Sequence, residues 1–180
     1  HSDAFARIRE VLEAPTTVHA LTISGSPRLG VTSLLHNLDQ AAAPGNLLMY
    51  EDMASAVTFV DSTADLLLGM ADKLFATIRR TYPRAGLREP DPGDFDTPAH
   101  ARVHFNRLTM QVCDVLSGRP LIFALDNFEA LEGAVESGAV GIEIYQYLFS
   151  AAQEPQIILA LGRSAELDKM SADYRRTDRK

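Results

Sequence analysis

Four short runs along the chain are mainly apolar: residues 18–24, 46–50, 120–125 and 156–161. A strand buried on both faces reads this way, as the central strands of a parallel sheet do. Between the runs the apolar residues recur every three or four positions, the helical period. Residues 2–13 carry Phe5, Ile8 and Leu12, with Ser2 or Asp3 as cap and Pro15 as stop. Residues 32–43 carry Leu34, Leu35, Leu38 and Ala42 before Pro44-Gly45. Residues 61–82 carry Leu67, Met70, Ala71, Leu74 and Ile78 as a buried stripe. Residues 83–97 read as a proline-rich acidic loop. Pro98 then opens a helix to Leu116, with Phe105, Leu108, Val112 and Val115 inward and Ser117-Gly118 closing it. Residues 140–153 place Ile142, Tyr145, Leu148 and Phe149 on one face, and a last helical segment covers about 165–173. Strands alternating with helices predict a three-layer α/β fold, an open parallel sheet covered on both faces.

Composition narrows the function classes. A chain of 180 residues with 46% hydrophobic and 23% charged content suits one globular domain. A net charge of −7 argues against a general nucleic-acid binder. Cys113 is the single cysteine, which excludes an internal disulfide and any multi-cysteine metal site. No apolar run reaches the length of a membrane span, and a cytoplasmic setting is expected. The chain begins at His1 rather than Met and reads as a piece of a longer protein: a helix over 1–14, a core over 15–174 and a charged tail over 175–180.

The chemistry concentrates after the first strand. Gly25-Ser26-Pro27-Arg28-Leu29-Gly30-Val31-Thr32-Ser33 joins that strand to a helix. Two glycines five apart, with a hydroxyl two residues after the second, match the phosphate-loop pattern G-x-x-x-x-G-K-[S/T] except at its lysine, where Val31 stands. The glycines let backbone N–H groups form a concave nest for phosphate oxygens, and the helix start adds its free N–H groups. Thr32 is the candidate hydroxyl ligand for Mg²⁺. Losing a charged hydrogen bond costs roughly 1.5–3 kcal/mol, about one to two decades of affinity, while a nest made of backbone survives. Arg28 is a candidate substitute charge.

A second signal sits about 100 residues downstream. The apolar run 120–125 delivers Asp126 at the carboxyl end of its strand, where open sheets bind ligands and a carboxylate could hold Mg²⁺. A helix cap after a buried strand is the plainer alternative. Asn127 follows, where a water-activating Glu is common; an amide can orient water but cannot take its proton. Glu129 is a candidate replacement. Ser164, with Arg163 as alternative, stands after the fourth run, where a terminal-phosphate sensor or an ordinary polar strand end would both fit. His100 and His104 have a metal-ligand spacing but no third ligand, so a solvated helix face is the expectation.

Taken together, the loop, the stretch from Arg119 through Asp126-Asn127-Phe128-Glu129 to Glu132, and Glu166 to Tyr174 resemble the STAND branch of AAA+-like P-loop ATPases, signalling ATPases related to NACHT and Orc-type modules. The resemblance spans roughly residues 15–174. It implies an ASCE-type core with the phosphate strand beside the fourth strand, ATP or ADP with Mg²⁺, and a nucleotide switch acting on attached domains. Gly25, Gly30, Thr32 and Asp126 carry over; the lysine and the acidic water-orienting residue do not. The resemblance also implies a fifth strand and a helical lid that this chain does not reach. Without that strand the edge of residues 18–24 would be bare, and a partner chain, a second copy, the amino-terminal helix or the tail is expected to cover it.

Three functions follow. The first is a degenerate regulatory domain that binds nucleotide weakly, with little or no hydrolysis. The second is a working ATPase in which Arg28 or a partner's cation replaces the lysine and Glu129 acts on water. The third is a nucleotide-free interaction domain whose pocket Val31 has closed.

Overall fold

The computed structural model describes residues 20–25, 30–41 and 45–164. The helices expected over 1–14 and 165–173, and the tail, lie outside these residues. Four parallel strands form one sheet in the order β1-β4-β3-β2: β1 (Ala20–Gly25), β2 (Leu47–Asp52), β3 (Leu121–Asp126) and β4 (Ile157–Ser164). The helices are α1 (Val31–His36), α2 (Leu38–Ala41), α3 (Met53–Ala56), α4 (Thr63–Thr81), α5 (Pro98–Leu116), α6 (Phe128–Glu136) and α7 (Glu143–Ala151).

Strand alternation builds two cores. Met49, Phe123, Leu159 and their neighbours two residues away face the larger one, covered by α4, α5, α6 and α7. Ile122, Ala124, Ile158 and Ala160 face the smaller one, closed by Leu34, Leu35 and Leu38. The expected three-layer α/β architecture is therefore present, with a four-stranded sheet among the described residues.

Several elements differ from the sequence reading. β1 was expected to be apolar and central, yet its residues alternate between exposed and half-buried. It pairs with β4 on one side, and no described strand lies on the other. The helix expected over 32–43 breaks at Asn37, whose Nδ2 donates to the Ser33 carbonyl at 2.7 Å, a local bond that competes with the helix. The sequence reading assigns no range to α6; a helix after β3 enters it only as the alternative in which Asp126 caps it, and the residue at its N-cap is Asn127, without a side-chain cap bond. Ile142 was placed inward, but it precedes α7 and is 73% exposed, and Phe149 is 42% exposed. Ile144 and Leu148 are the residues α7 buries. The acidic loop is pinned by Phe95, buried at the end of a short 3-10 turn (Pro92–Phe95). Cys113 is a free thiol buried in α5.

Candidate functional site

All four strands end on one rim, and the sequence candidates lie along it. β1 ends at Gly25, paired in register with Ser164. Ser26, Pro27, Arg28 and Leu29 lie outside the described residues. Gly30 follows with φ 85°, a left-handed conformation that glycine adopts without steric cost. Its carbonyl accepts the Leu34 N–H at 2.8 Å, the first bond of α1. Thr32 and Ser33 are exposed on that first turn. Val31 is half-buried and packs on the smaller core.

Asp126, the last residue of β3, is 3% exposed. Its Oδ2 accepts the Tyr50 hydroxyl at 3.0 Å and its Oδ1 accepts the Asn127 N–H at 2.9 Å. It forms no ion pair among the described residues. Gly162 of β4 lies between this carboxylate and α1. A Cβ on Gly162 would stand 2.7 Å from Asp126 Oδ1, 2.4 Å from Leu35 Cδ1 and 3.3 Å from Val31 Cγ1. The carboxylate and the start of α1 thus share one small space over a glycine. It lies at the carboxyl ends of the strands, where open α/β sheets bind ligands.

The remaining candidates are placed less simply. Asn127 adopts φ 50°, which asparagine tolerates, and its Nδ2 donates to Asp52 Oδ1 at 2.8 Å. Asp52 caps α3 and also accepts from Ser55 Oγ at 2.7 Å and Ala54 N at 3.1 Å. Burial alone would push the Asp52 carboxyl up, but the Asn127, Ser55 and Ala54 donors together hold it below the usual carboxylate range. Glu129, on the first turn of α6, accepts the Ser164 N–H through Oε1 at 3.4 Å, while its Oε2 is buried without a partner among the described residues. Arg163 is committed to Glu132, donating at 2.7 and 2.6 Å.

Three residues at the rim escaped the sequence reading: Tyr50, His36 and Gly162. The His36 and Tyr50 rings stack with centroids 3.6 Å apart. Burial foremost, then the bond to Asp126 and the nearby carboxylates, raises the Tyr50 phenol well above its ordinary value, so it stays a donor. A glycine within an otherwise apolar strand often marks a close approach, a signal available for Gly162.

Oxygen donors are the kind a hard divalent cation takes. The Asp126 carboxylate and Thr32 hydroxyl are oxygen donors, and the carboxylate has no described cationic partner. His100 and His104 do not converge on a shared point: their Nδ1 atoms face Asp96 Oδ1 at 2.7 Å and Asp94 Oδ2 at 3.3 Å. Among the described residues no group of three His, Cys, Asp or Glu could hold a metal, and no helix is long and apolar enough to cross a membrane. A surface cleft of about 170 Å³ beside Arg88, Asp91, Phe95 and His104 is lined by none of the rim residues.

No protein-family model and no curated protein matches the chain. Among solved structures it is similar to the Walker-type ATPase PABY2304 of Pyrococcus abyssi, with a TM-score of 0.59 and 14% identity. The match covers 91% of this chain and 45% of that one, so the chain spans less than half the length of its neighbour. With the strand order and the rim geometry, this likeness gives the chain the fold of a P-loop NTPase core.

Proposed function

We propose that the chain is a degenerate, STAND-like P-loop domain with a regulatory role, which holds ATP or ADP with Mg²⁺ weakly and turns it over little or not at all. The observation that carries this reading is Asp126, a buried carboxylate without a described counter-ion, facing the start of α1 across Gly162. In this reading Gly25 and Gly30 shape the loop, its backbone binds phosphate, and Thr32 and Asp126 hold the metal. Val31 supplies no charge, which supports weak binding. The Asn127 amide is occupied by Asp52, which supports slow turnover. The proposed setting is cytoplasmic. The outer edge of β1 is the proposed place where the rest of a longer chain, a second copy or another protein adds.

Calorimetry with ATP and Mg²⁺, alongside a turnover assay, tests the proposal. Weak binding with negligible phosphate release is expected. Val31→Lys should tighten binding by about one to two decades, the worth of a charged hydrogen bond. Turnover at ordinary enzyme rates, abolished by Asp126→Ala, would instead mean a working ATPase. One observation favours the nucleotide-free interaction domain: Val31 and Leu35 both lean over Gly162 and pack with the smaller core. That reading expects no thermal shift with any nucleotide and no gain from Val31→Lys.

A further inference from the structure

Asp126 is held by a residue on the neighbouring strand that no phosphate-loop pattern names. Tyr50 is in register with Ala124, so its ring lies on the α1 side of the sheet. Its hydroxyl reaches along β3 to Asp126 Oδ2 at 3.0 Å. The ring itself is fixed by His36, the last residue of α1, which stacks on it at 3.6 Å with an interplanar angle of 23°. With Oδ2 on the phenol and Oδ1 on the Asn127 N–H at 2.9 Å, both carboxylate oxygens are held. Oδ1 is thereby fixed over Gly162, beside Val31.

The kind of donor matters. A lysine or arginine at this place would neutralise the carboxylate and compete with an incoming cation. A phenol orients the carboxylate and leaves its charge available. A buried carboxylate held only by neutral donors is costly unless a cation eventually joins it, and partners that orient a metal ligand typically carry 10–100-fold of metal affinity.

We infer that Tyr50 is the positioning residue for Asp126, aiming its carboxylate at a Mg²⁺-bound nucleotide, and that His36 clamps the phenol from the end of α1. This deepens the nucleotide reading above and rests on it. Removing the hydroxyl frees Oδ2 to turn, so metal-dependent binding should fall while metal-independent binding stays.

The test is calorimetry of ADP with the full chain, in Mg²⁺ and in EDTA, for wild type, Tyr50→Phe and His36→Ala. Tyr50→Phe should weaken ADP binding in Mg²⁺ by roughly ten-fold and leave binding in EDTA unchanged. His36→Ala should act in the same direction, more weakly. Equal Mg²⁺-dependent affinity in wild type and Tyr50→Phe would overturn the assignment. A second measurement reads the pair without nucleotide: with 3-fluorotyrosine incorporated, Asp126→Asn should move the ¹⁹F resonance identified as Tyr50 by its loss in Tyr50→Phe. No movement would also overturn it. If wild type binds ADP in neither medium, the nucleotide reading fails and the positioning role falls with it. A surviving ¹⁹F shift would then mark a purely structural pair. That pattern differs from the assignment's own failure, in which wild type binds with Mg²⁺ and Tyr50→Phe binds equally well.

Discussion

Gly162→Ala probes the closest approach in the site. The new methyl would stand 2.4 Å from Leu35 Cδ1, 2.7 Å from Asp126 Oδ1 and 3.3 Å from Val31 Cγ1. Leu35 is 0% exposed, so its terminal methyl must turn within a filled cluster. The carboxylate is tethered at both oxygens and yields only by stretching the Tyr50 or Asn127 bond. Overpacking of this kind costs about 1–3 kcal/mol. The backbone at Gly162 is ordinary strand, so alanine also restricts the unfolded chain, which offsets about 0.4–1 kcal/mol. A net loss of about 1–2 kcal/mol should remain, a fall of roughly 0.5–1 M in the urea midpoint at typical slopes for a chain this small. Gly69→Ala is the matched control. It lies inside α4 with nothing within 4 Å of the new methyl, so it should gain about 0.5–1 kcal/mol. Equilibrium urea unfolding followed by far-ultraviolet circular dichroism measures both. A Gly162→Ala protein as stable as wild type would refute the packing of α1 and Asp126 over β4.

Two further outcomes follow from the titrating groups. The Asp52 carboxyl is held low in the folded state, so its contribution is present above the unfolded-state carboxylate value and is lost as pH falls through the lowered folded value. The stability gap between wild type and Asp52→Asn should therefore be largest near neutral pH and close on acidification, as read by urea melts at stepped pH. Burial, with Asp114 and Glu154 nearby, pushes the Cys113 thiol up to about 11. A disulfide reagent at mildly alkaline pH should leave it unmodified in the folded protein and label it fully in urea; rapid labelling of the folded chain would place Cys113 outside the core.

The legible parts of the fold were those whose ends carry their own punctuation. α5 starts and stops where Pro98 and Ser117-Gly118 put it, because Thr97 accepts the His100 N–H and Ser117 takes the left-handed turn at the end. The extent of α6 was not legible, because it opens from a left-handed Asn127 with no side-chain cap. Its buried stripe of Phe128, Leu131 and Ala134 is short enough to pass for the tail of a strand. Ile142 fell into a helical spacing that begins one residue too early, since α7 starts at Glu143. In the site, Asp126 could be read because a fully apolar run points at it. Tyr50 could not, because its partner lies 76 residues away and periodicity reports only on a residue's own element.

The strand order explains why so much depends on β4. β1 and β3 are not neighbours; β4, the last of the described strands, inserts between them and pairs with both. The start of α1 and the Asp126 carboxylate can therefore meet only across β4, and Gly162 leaves the space in which they do. In the proposed reading, the departures from the phosphate-loop pattern fall on two side chains. Val31 carries no charge, and Asn127 offers an amide whose Nδ2 donates to Asp52. Neither alters the sheet order, the left-handed Gly30 or the close approach over Gly162. If the nucleotide reading holds, a ligand cradled by backbone and one aimed carboxylate could persist after the groups that speed its hydrolysis had gone. Binding and turnover would then separate. Val31→Lys should restore affinity before rate, because the added charge meets phosphate directly whereas no carboxylate stands in place of Asn127 to take a proton from water.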